Sequence, residues 1–429
     1  MKILSYFFVA CILLASCRGG KNDDEQFILV DGTDPEEEVE GINDLVSAAM
    51  EGVYLWSEYT PEDVNPSLYD NPSDLLSDLK YRPLDRWSYI RELPTANARL
   101  STVEEVGLGV ILGALPNGQI FVIHTLKGSP AWEAGIRRGD RLVSINGQAA
   151  TVNNGGVLYT RTLGESFTLT VQALEEEEKT IEVSTATLDI DYVSEVRVLN
   201  ISERKKAGYL LYDSFRSRSI NALNKAFEYF QQEGISYLIL DLRYNGGGEV
   251  RVAQHLASLI YGQAKDADVF ITETYNERFK ENNKSIKFTS QSNSVMLEHI
   301  VVITGVETAS ASEAIIHGLR PYLPVKTIGD TTHGKNVGGV VYREFGYEFV
   351  PITFYVKNSQ GNGDYAEGIP ADYNMPDYLS IPLGEERGRV GAALDYLKTG
   401  IFPLARKADQ EQVRPLAQPF TILVDTIAN

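Results

Sequence analysis

Cysteine is almost absent. The 429-residue chain has two, Cys11 and Cys17, both within its first seventeen residues. The rest of the chain has no thiol for a disulfide framework or a cysteine-rich metal site, so its stability has to come from packing. Histidine is scarce too, and the five present (His124, His255, His299, His317 and His333) lack the close spacing of a metal-ligand set. No metal or organic cofactor is expected. Positive charge is in deficit: 39 Lys and Arg against 59 Asp and Glu leave a net charge of −20. That argues against nucleic acid as a partner and leaves no polybasic patch for an acidic membrane surface. There is no internal repeat. Gly155-Gly156 and Asn117-Gly118 are followed by no Lys-Ser/Thr pair, so they read as turns rather than phosphate loops.

The chain opens on a targeting segment. Met1-Lys-Ile-Leu-Ser-Tyr-Phe-Phe-Val-Ala-Cys-Ile-Leu-Leu-Ala-Ser-Cys17 has a positive start and an apolar run too short to serve as a mature membrane span. Its end, Leu14-Ala-Ser-Cys17, resembles a bacterial lipobox, which implies a signal peptide over 1–17 and lipidation of Cys17. Residues 18–40, with Asp23-Asp-Glu25 and Glu36-Glu-Glu38, read as a solvated acidic tether. The expected location is the bacterial cell envelope, with the chain lipid-anchored at the periplasmic side or at the cell surface of the outer membrane.

The stretch that carries chemistry runs from Thr308 to Lys335. His299-Ile-Val-Val-Ile-Thr-Gly305 reads as a buried strand, and Thr308-Ala-Ser-Ala-Ser-Glu313 leads from it into a helix over Ala311–Leu319. Small hydroxyl residues at a helix start lie where free backbone N–H groups favour developing negative charge. Ser310 with Glu313 also fits a capping box, which needs no catalysis. A second strand, Ile235–Leu242, ends in Arg243-Tyr-Asn-Gly-Gly-Gly248, where successive glycines permit a tight turn with N–H groups aimed at a ligand.

Taken together, Asp241-Leu-Arg-Tyr-Asn-Gly-Gly-Gly248, Thr308-Ala-Ser-Ala-Ser-Glu313 and Gly334-Lys335 resemble the carboxyl-terminal processing (tail-specific) protease family, from about residue 40 to residue 400. The resemblance implies Ser310 as nucleophile and Lys335, twenty-five positions later, as its base. It also implies an oxyanion hole from the N–H groups of Ala311 and Gly247. A lysine can be a base only when neutral, so Lys335 is expected to be substantially buried beside Ser310. Many family members carry a glutamine four residues after the lysine; here that residue is Gly339. Asn336 is a candidate to orient Lys335 in its place; His333 and His317 are further candidates for support, with an ordinary surface or packing role as the alternative.

The expected architecture is α/β and multidomain, with a crotonase- or Clp-protease-like catalytic core. Residues 41–100 read as a small helical domain, with Ile42, Leu45, Val46, Ala49, Val53 and Trp56 at helical spacing and a second helix over 71–79. Trp56 and Trp87 are expected as core anchors. Residues 101–190 resemble a PDZ domain. Gly107-Leu108-Gly109-Val110 matches its carboxylate-receiving loop, and Ser129–Gly147 its helix–turn–strand signature. Such a module binds a chain end by adding a strand to a sheet edge. Residues 191–405 alternate strand and helix, and 406–429 form an extension with an apolar run, Phe420–Val424, expected as an added strand.

The function this implies is a serine endopeptidase that takes protein or peptide substrates by their C-termini. The alternatives are a weakly active or inactive PDZ lipoprotein that binds peptides, motivated by Gly339, and a crotonase-type acyl-CoA enzyme. The export signal and PDZ module count against the second.

Overall fold

The computed structural model describes residues 40–93 and 106–403, together with the backbone of 421–423. The signal peptide, Cys17 and the acidic tether to residue 39 lie outside the described residues.

The N-terminal segment forms α1 (Ile42–Glu51), α2 (Pro72–Leu79) and β1 (Tyr89–Glu92). Leu45, Val46, Ala49 and Met50 line one buried face of α1. Gly52 ends that helix, so Val53 and Trp56, expected on it, are buried from the irregular turn beyond it. The Asn71 side chain accepts the Ser73 N–H and Pro72 opens α2, a start that leaves no donor wasted. This small unit completes its core with Phe279, Val337, Tyr342, Phe349 and Ile352 from later in the chain.

The next unit contains β2 (Val106–Gly107), β3 (Val110–Ala114), β4 (Ile120–Thr125), α3 (Pro130–Glu133), β5 (Arg141–Ile145), β6 (Gln148–Ala149), β7 (Ser166–Gln172), β8 (Lys179–Ser184) and β9 (Ala186–Thr187). Its main sheet runs β3-β4-β5-β7-β8, with every pairing antiparallel. In β7, Phe167, Leu169 and Val171 are buried while Ser166 and Thr168 are exposed, the alternation that the sequence predicts. Glu175–Glu178 is an exposed turn.

The remainder builds β10 (Val193–Asn200), β11 (Lys206–Tyr212), α4 (Ile220–Glu233), β12 (Tyr237–Asp241), α5 (Val250–Ile260), β13 (Val269–Tyr275), β14 (Lys284–Lys287), β15 (His299–Thr304), α6 (Ala311–Leu319), β16 (Val325–Gly329), β17 (Val337–Gly339), β18 (Tyr342–Glu344), β19 (Tyr347–Val350), β20 (Ile352–Asn358), β21 (Tyr373–Asn374) and α7 (Gly388–Thr399). The central sheet has the order β10-β11-β12-β15-β16-β21 and is parallel from β11 onward. Both its faces are covered. Leu210, Tyr212, Leu238, Leu240, Ile300 and Val302 pack with the helices α4, α5 and α6. Their alternates Tyr209, Leu211, Ile239, Val301 and Ile303 pack with α7. A sheet buried on both sides needs continuous apolar strands, and that is why these segments lack a polar face.

The region 340–356 is divided by Pro351. Strands β18 and β19 form a hairpin through Phe345-Gly346, both at positive φ, and β19 pairs with β1. After Pro351, which has no N–H for a ladder, β20 joins a different sheet of order β14-β13-β20-β17. A final strand, β22 (Thr421–Leu423), pairs with β3.

Candidate active site

Parallel pairing of β12 with β15 brings the loops at their ends together. Side chains then stitch one loop to the other. Thr308 Oγ1 donates to the Leu242 carbonyl (2.8 Å) and accepts the Gly305 N–H (2.9 Å). Ser312 Oγ donates to the Asn245 carbonyl (2.8 Å), which also accepts the Ala309 N–H. Thr308 and Ser312 are both buried and hydrogen-bonded into the framework. Gly247, at φ +102°, lies so close to α6 that a Cβ built on it would meet Ser310 Cβ and the Ala311 nitrogen at 2.9 Å.

Ser310 sits between strand and helix with φ +55° and ψ −114°, a conformation rarely adopted by a residue with a side chain. It is held there from the helix side. The Ser310 N–H donates to Glu313 Oε2 (2.8 Å), and the Ser310 carbonyl accepts the Ala314 N–H (2.8 Å). Ala311 occupies the first helical position, where a backbone N–H has no acceptor within the helix.

Glu313 is the centre of the arrangement, although the capping pattern alone makes it no more than a helix-start partner. Fully buried, it accepts four donors: Ser310 N–H and Lys335 N–H on Oε2, both at 2.8 Å, and Gly334 N–H (2.7 Å) and Thr332 Oγ1 (2.5 Å) on Oε1. Burial pushes its carboxyl up, and the four donors oppose that by favouring the ionised form. One carboxylate therefore fixes the backbone of the serine and of the lysine at once. The Lys335 loop is pinned from below as well. Gly334 (φ +92°) leaves no room for a Cβ, which would meet the Ala366 carbonyl at 2.2 Å, and the Ile369 N–H donates to Thr332 Oγ1 (2.7 Å). Glu367–Asp372 thus supports the loop, with Asp372 bound to Thr327 and Lys326.

Lys335 is half-buried. Desolvation lowers its amine below the ordinary lysine range, against the opposing pull of Glu313 and Asp85. Its Nζ lies 5.3 Å from the centre of the Trp87 ring, which also neighbours the His333 imidazole at 5.0 Å and the Arg86 guanidinium at 5.1 Å. Trp87, expected as a core anchor, is half-buried and belongs to this site. Asp85 fixes the turn that presents it, accepting the Trp87 and Ser88 N–H groups at 2.9 and 2.8 Å and the Tyr54 hydroxyl at 2.8 Å. A tryptophan in a polar connecting segment was the signal available in the sequence.

Four assignments need correcting for this conformation. The Gly247 N–H donates to Asn245 Oδ1 (2.9 Å), so in this conformation it is already engaged. Asn336 turns its amide to the Gly363 carbonyl (2.8 Å) and does not orient Lys335. His333 is exposed, with Nδ1 at 3.1 Å from the Val306 carbonyl, and His317 contacts the Asn362 carbonyl; neither hydrogen-bonds the serine or the lysine. No hydrogen bond joins Ser310 Oγ to Lys335 Nζ among the described residues. At Gly339 a β-bulge interrupts the β17–β20 pairing, and a Cβ would meet the Pro351 carbonyl at 2.2 Å. No glutamine fits on that backbone.

In the second unit, Leu108 and Val110 are buried. Gly109 (φ +71°) lies against Ser129, so that a Cβ there would meet Ser129 Cβ at 2.2 Å. The Gly107–Val110 loop is thereby pressed onto the start of α3 and leads directly into β3. A cavity of about 400 Å³ is lined by His124, Trp132 and Arg138 of this unit and by Ser194, Leu379 and Leu383 from the part of the chain that follows it.

Comparison with known proteins agrees with this division. Residues 206–375 match the model of peptidase family S41, residues 41–89 that of the peptidase S41 N-terminal domain, and residues 126–172 that of a PDZ domain. The chain is 25% identical over 323 residues to a probable CtpA-like serine protease of Staphylococcus aureus strain N315, covering 72% of this chain and 62% of that protein. It is 24% identical over 273 residues to the carboxy-terminal processing protease CtpA of Bacillus subtilis, covering 62% and 56% respectively. It thus spans less than two thirds of the length of these relatives. Among solved structures, a putative S41 protease from Bacteroides fragilis superimposes with a TM-score of 0.70 at 24% identity, covering 86% of this chain and 99% of that one. The photosystem II D1 C-terminal processing protease gives 0.51 at 19% identity, covering 82% and 96%. With an S41 N-terminal domain, a PDZ domain and an S41 domain in succession, the chain belongs to peptidase family S41.

Proposed function

We propose that this chain is a serine endopeptidase of the cell envelope that receives protein C-termini in its PDZ domain and hydrolyses peptide bonds with a Ser310–Lys335 dyad. The observation that carries the reading is the shared Glu313 carboxylate, which ties the strained backbone of Ser310 to the backbone of a partly desolvated lysine. In the reaction, neutral Lys335 takes the Ser310 hydroxyl proton as Oγ attacks the scissile carbonyl, and the Ala311 N–H stabilises the resulting oxyanion. The lysine then returns that proton to the leaving amine. Water, activated by the same lysine, releases the acyl group and restores Ser310. Engagement needs Lys335 to swing from the Trp87 ring to the hydroxyl, and a second oxyanion donor at Gly247 needs its N–H released from Asn245.

The export signal and Leu14–Cys17 support placement of the enzyme on a lipid anchor through Cys17, with peptide or protein substrates and no nucleic-acid partner. Incubation of a loosely folded protein having an apolar C-terminus with the chain lacking residues 1–17 tests the activity. Cleavage that disappears in both Ser310→Ala and Lys335→Ala is expected; cleavage that survives Ser310→Ala overturns the assignment.

A second reading is favoured by Gly339, by the engaged Gly247 N–H and by the lack of a direct Ser310–Lys335 hydrogen bond. It is a PDZ lipoprotein that binds C-terminal peptides and cleaves them weakly or not at all. Peptide binding without cleavage in the same assay would select it.

A further inference from the structure

The C-terminal strand β22 occupies the edge of the PDZ sheet next to the Gly107–Val110 loop. The sheet order is β22-β3-β4-β5-β7-β8, so among the described residues β3 would be an open edge without β22. The pairing is antiparallel, with Thr421 opposite Ala114, Ile422 opposite Gly113 and Leu423 opposite Leu112. In this register the strand runs from Ala114 toward Val110, and therefore toward the loop. That polarity is the one a bound chain end must have if it is to add to β3 and offer its terminus to the loop's N–H groups. A short 3₁₀ turn, Gly155–Tyr159, also reaches β3 and brings the Tyr159 hydroxyl to the Leu112 N–H at 3.0 Å. The segment thus lies on the ladder where a substrate tail would lie, and in the same direction.

We propose that β22 is an intramolecular ligand of the PDZ docking edge, which a substrate C-terminus must displace before it can be held for cleavage. The proposal rests on the reading of that edge as the tail-binding site. An attached segment acts at an effective concentration on the order of millimolar, so even a weak strand pairing competes with micromolar substrate. The segment would then act as a filter: a tail that pairs with β3 better than Thr421–Leu423 is admitted, and a poorer one is excluded.

Fluorescence anisotropy on three proteins tests this: the chain from residue 18 to 429, the same chain ended at Pro403, and the full-length chain with Ile422→Pro, which removes an N–H and disfavours the ladder. Two labelled probes are used, a synthetic peptide of residues 416–429 and an unrelated peptide with an apolar C-terminus. Both probes should bind the shortened chain about tenfold or more tightly than the full chain, with Ile422→Pro behaving like the shortened one. Equal affinity of the unrelated probe for all three proteins overturns the proposal and leaves the docking edge intact. Failure of the 416–429 peptide to bind the shortened chain, while the unrelated probe binds, overturns it too. Binding of neither probe to any of the three removes the tail-binding reading and this proposal with it.

Discussion

Among single residues, Glu313 does most to hold the site in shape. Its two oxygens collect four donors from Ser310, Thr332, Gly334 and Lys335, and loss of acceptor capacity at that point loosens both members of the proposed dyad together. Glu313→Gln keeps the volume but replaces one acceptor oxygen with an NH₂ that faces donors. A fall in kcat of roughly 100-fold, with a much smaller change in KM, is expected, because misplacement by about an ångström costs about that much. Steady-state kinetics on the purified variant checks it; an unchanged kcat would mean that the dyad is positioned otherwise. Gly339 is a second test of position. A glutamine there cannot act as it does in relatives, since its Cβ would strike the Pro351 carbonyl. Gly339→Gln should lower stability by about 1–3 kcal/mol without raising activity, as overpacked sites do, and a denaturant titration with a parallel rate assay measures both.

Elements decide how much of this could be read in advance. Strands β12 and β15 and helix α6 were legible because each carries one unbroken pattern, apolar throughout or opened by a capping motif, ended by glycine or a polar turn. Ser310 and Lys335, the proposed nucleophile and base, were singled out by motif and spacing. Glu313 was visible only as a capping partner, because the lysine loop that shares its carboxylate returns to it through tertiary packing. The bulge at Gly339, the break at Pro351 and the capture of the Gly247 N–H by Asn245 are likewise products of how β20 and the glycine loop pack, and no local pattern encodes them. Trp87 belongs to the same group. It reaches Lys335 from the N-terminal unit, through a turn that Asp85 holds, so that unit supplies one wall of the site. Desolvation is the largest influence on the lysine, and Trp87 is part of what excludes water. Trp87→Ala should therefore raise the Lys335 pKa and move the ascending limb of the pH–rate profile upward. A downward shift would mean that attraction between the ring and the ammonium outweighs its screening from water.

On the scale of the whole molecule, the PDZ unit is fastened to the glycine loop by buried charge. Arg138 of the PDZ unit donates to Asp377 (2.8 Å) and to the Tyr244 hydroxyl (2.7 Å), and Arg243 donates to Asp377 (2.8 Å) and Asp241. Burial would raise the Asp377 carboxyl, but the guanidinium groups of Arg138 and Arg243 outweigh it and hold the acid far below the usual carboxylate range. The sign follows from that depression: the ionised form stabilises the fold at any pH above the ordinary aspartate value of about 3.9, and this contribution is lost as the pH falls below it. Asp377→Asn leaves two buried guanidiniums short of a partner, and a loss of about 3–5 kcal/mol is expected, with a weaker acid dependence of what stability remains. Urea titrations at pH 7 and pH 2.5 read both effects, and a loss under 1 kcal/mol at pH 7 would show the network to be dispensable.

The central claim is that a desolvated Lys335 serves as the base for Ser310, and the pH dependence of kcat/KM for peptide cleavage tests it most directly. Activity needs the neutral amine, so the rate should climb with pH through an ascending limb lying below the ordinary lysine value of about 10.4. Lys335→Arg, whose side chain stays charged, should be inactive across the whole range. An ascending limb that persists unchanged in Lys335→Arg would contradict the assignment.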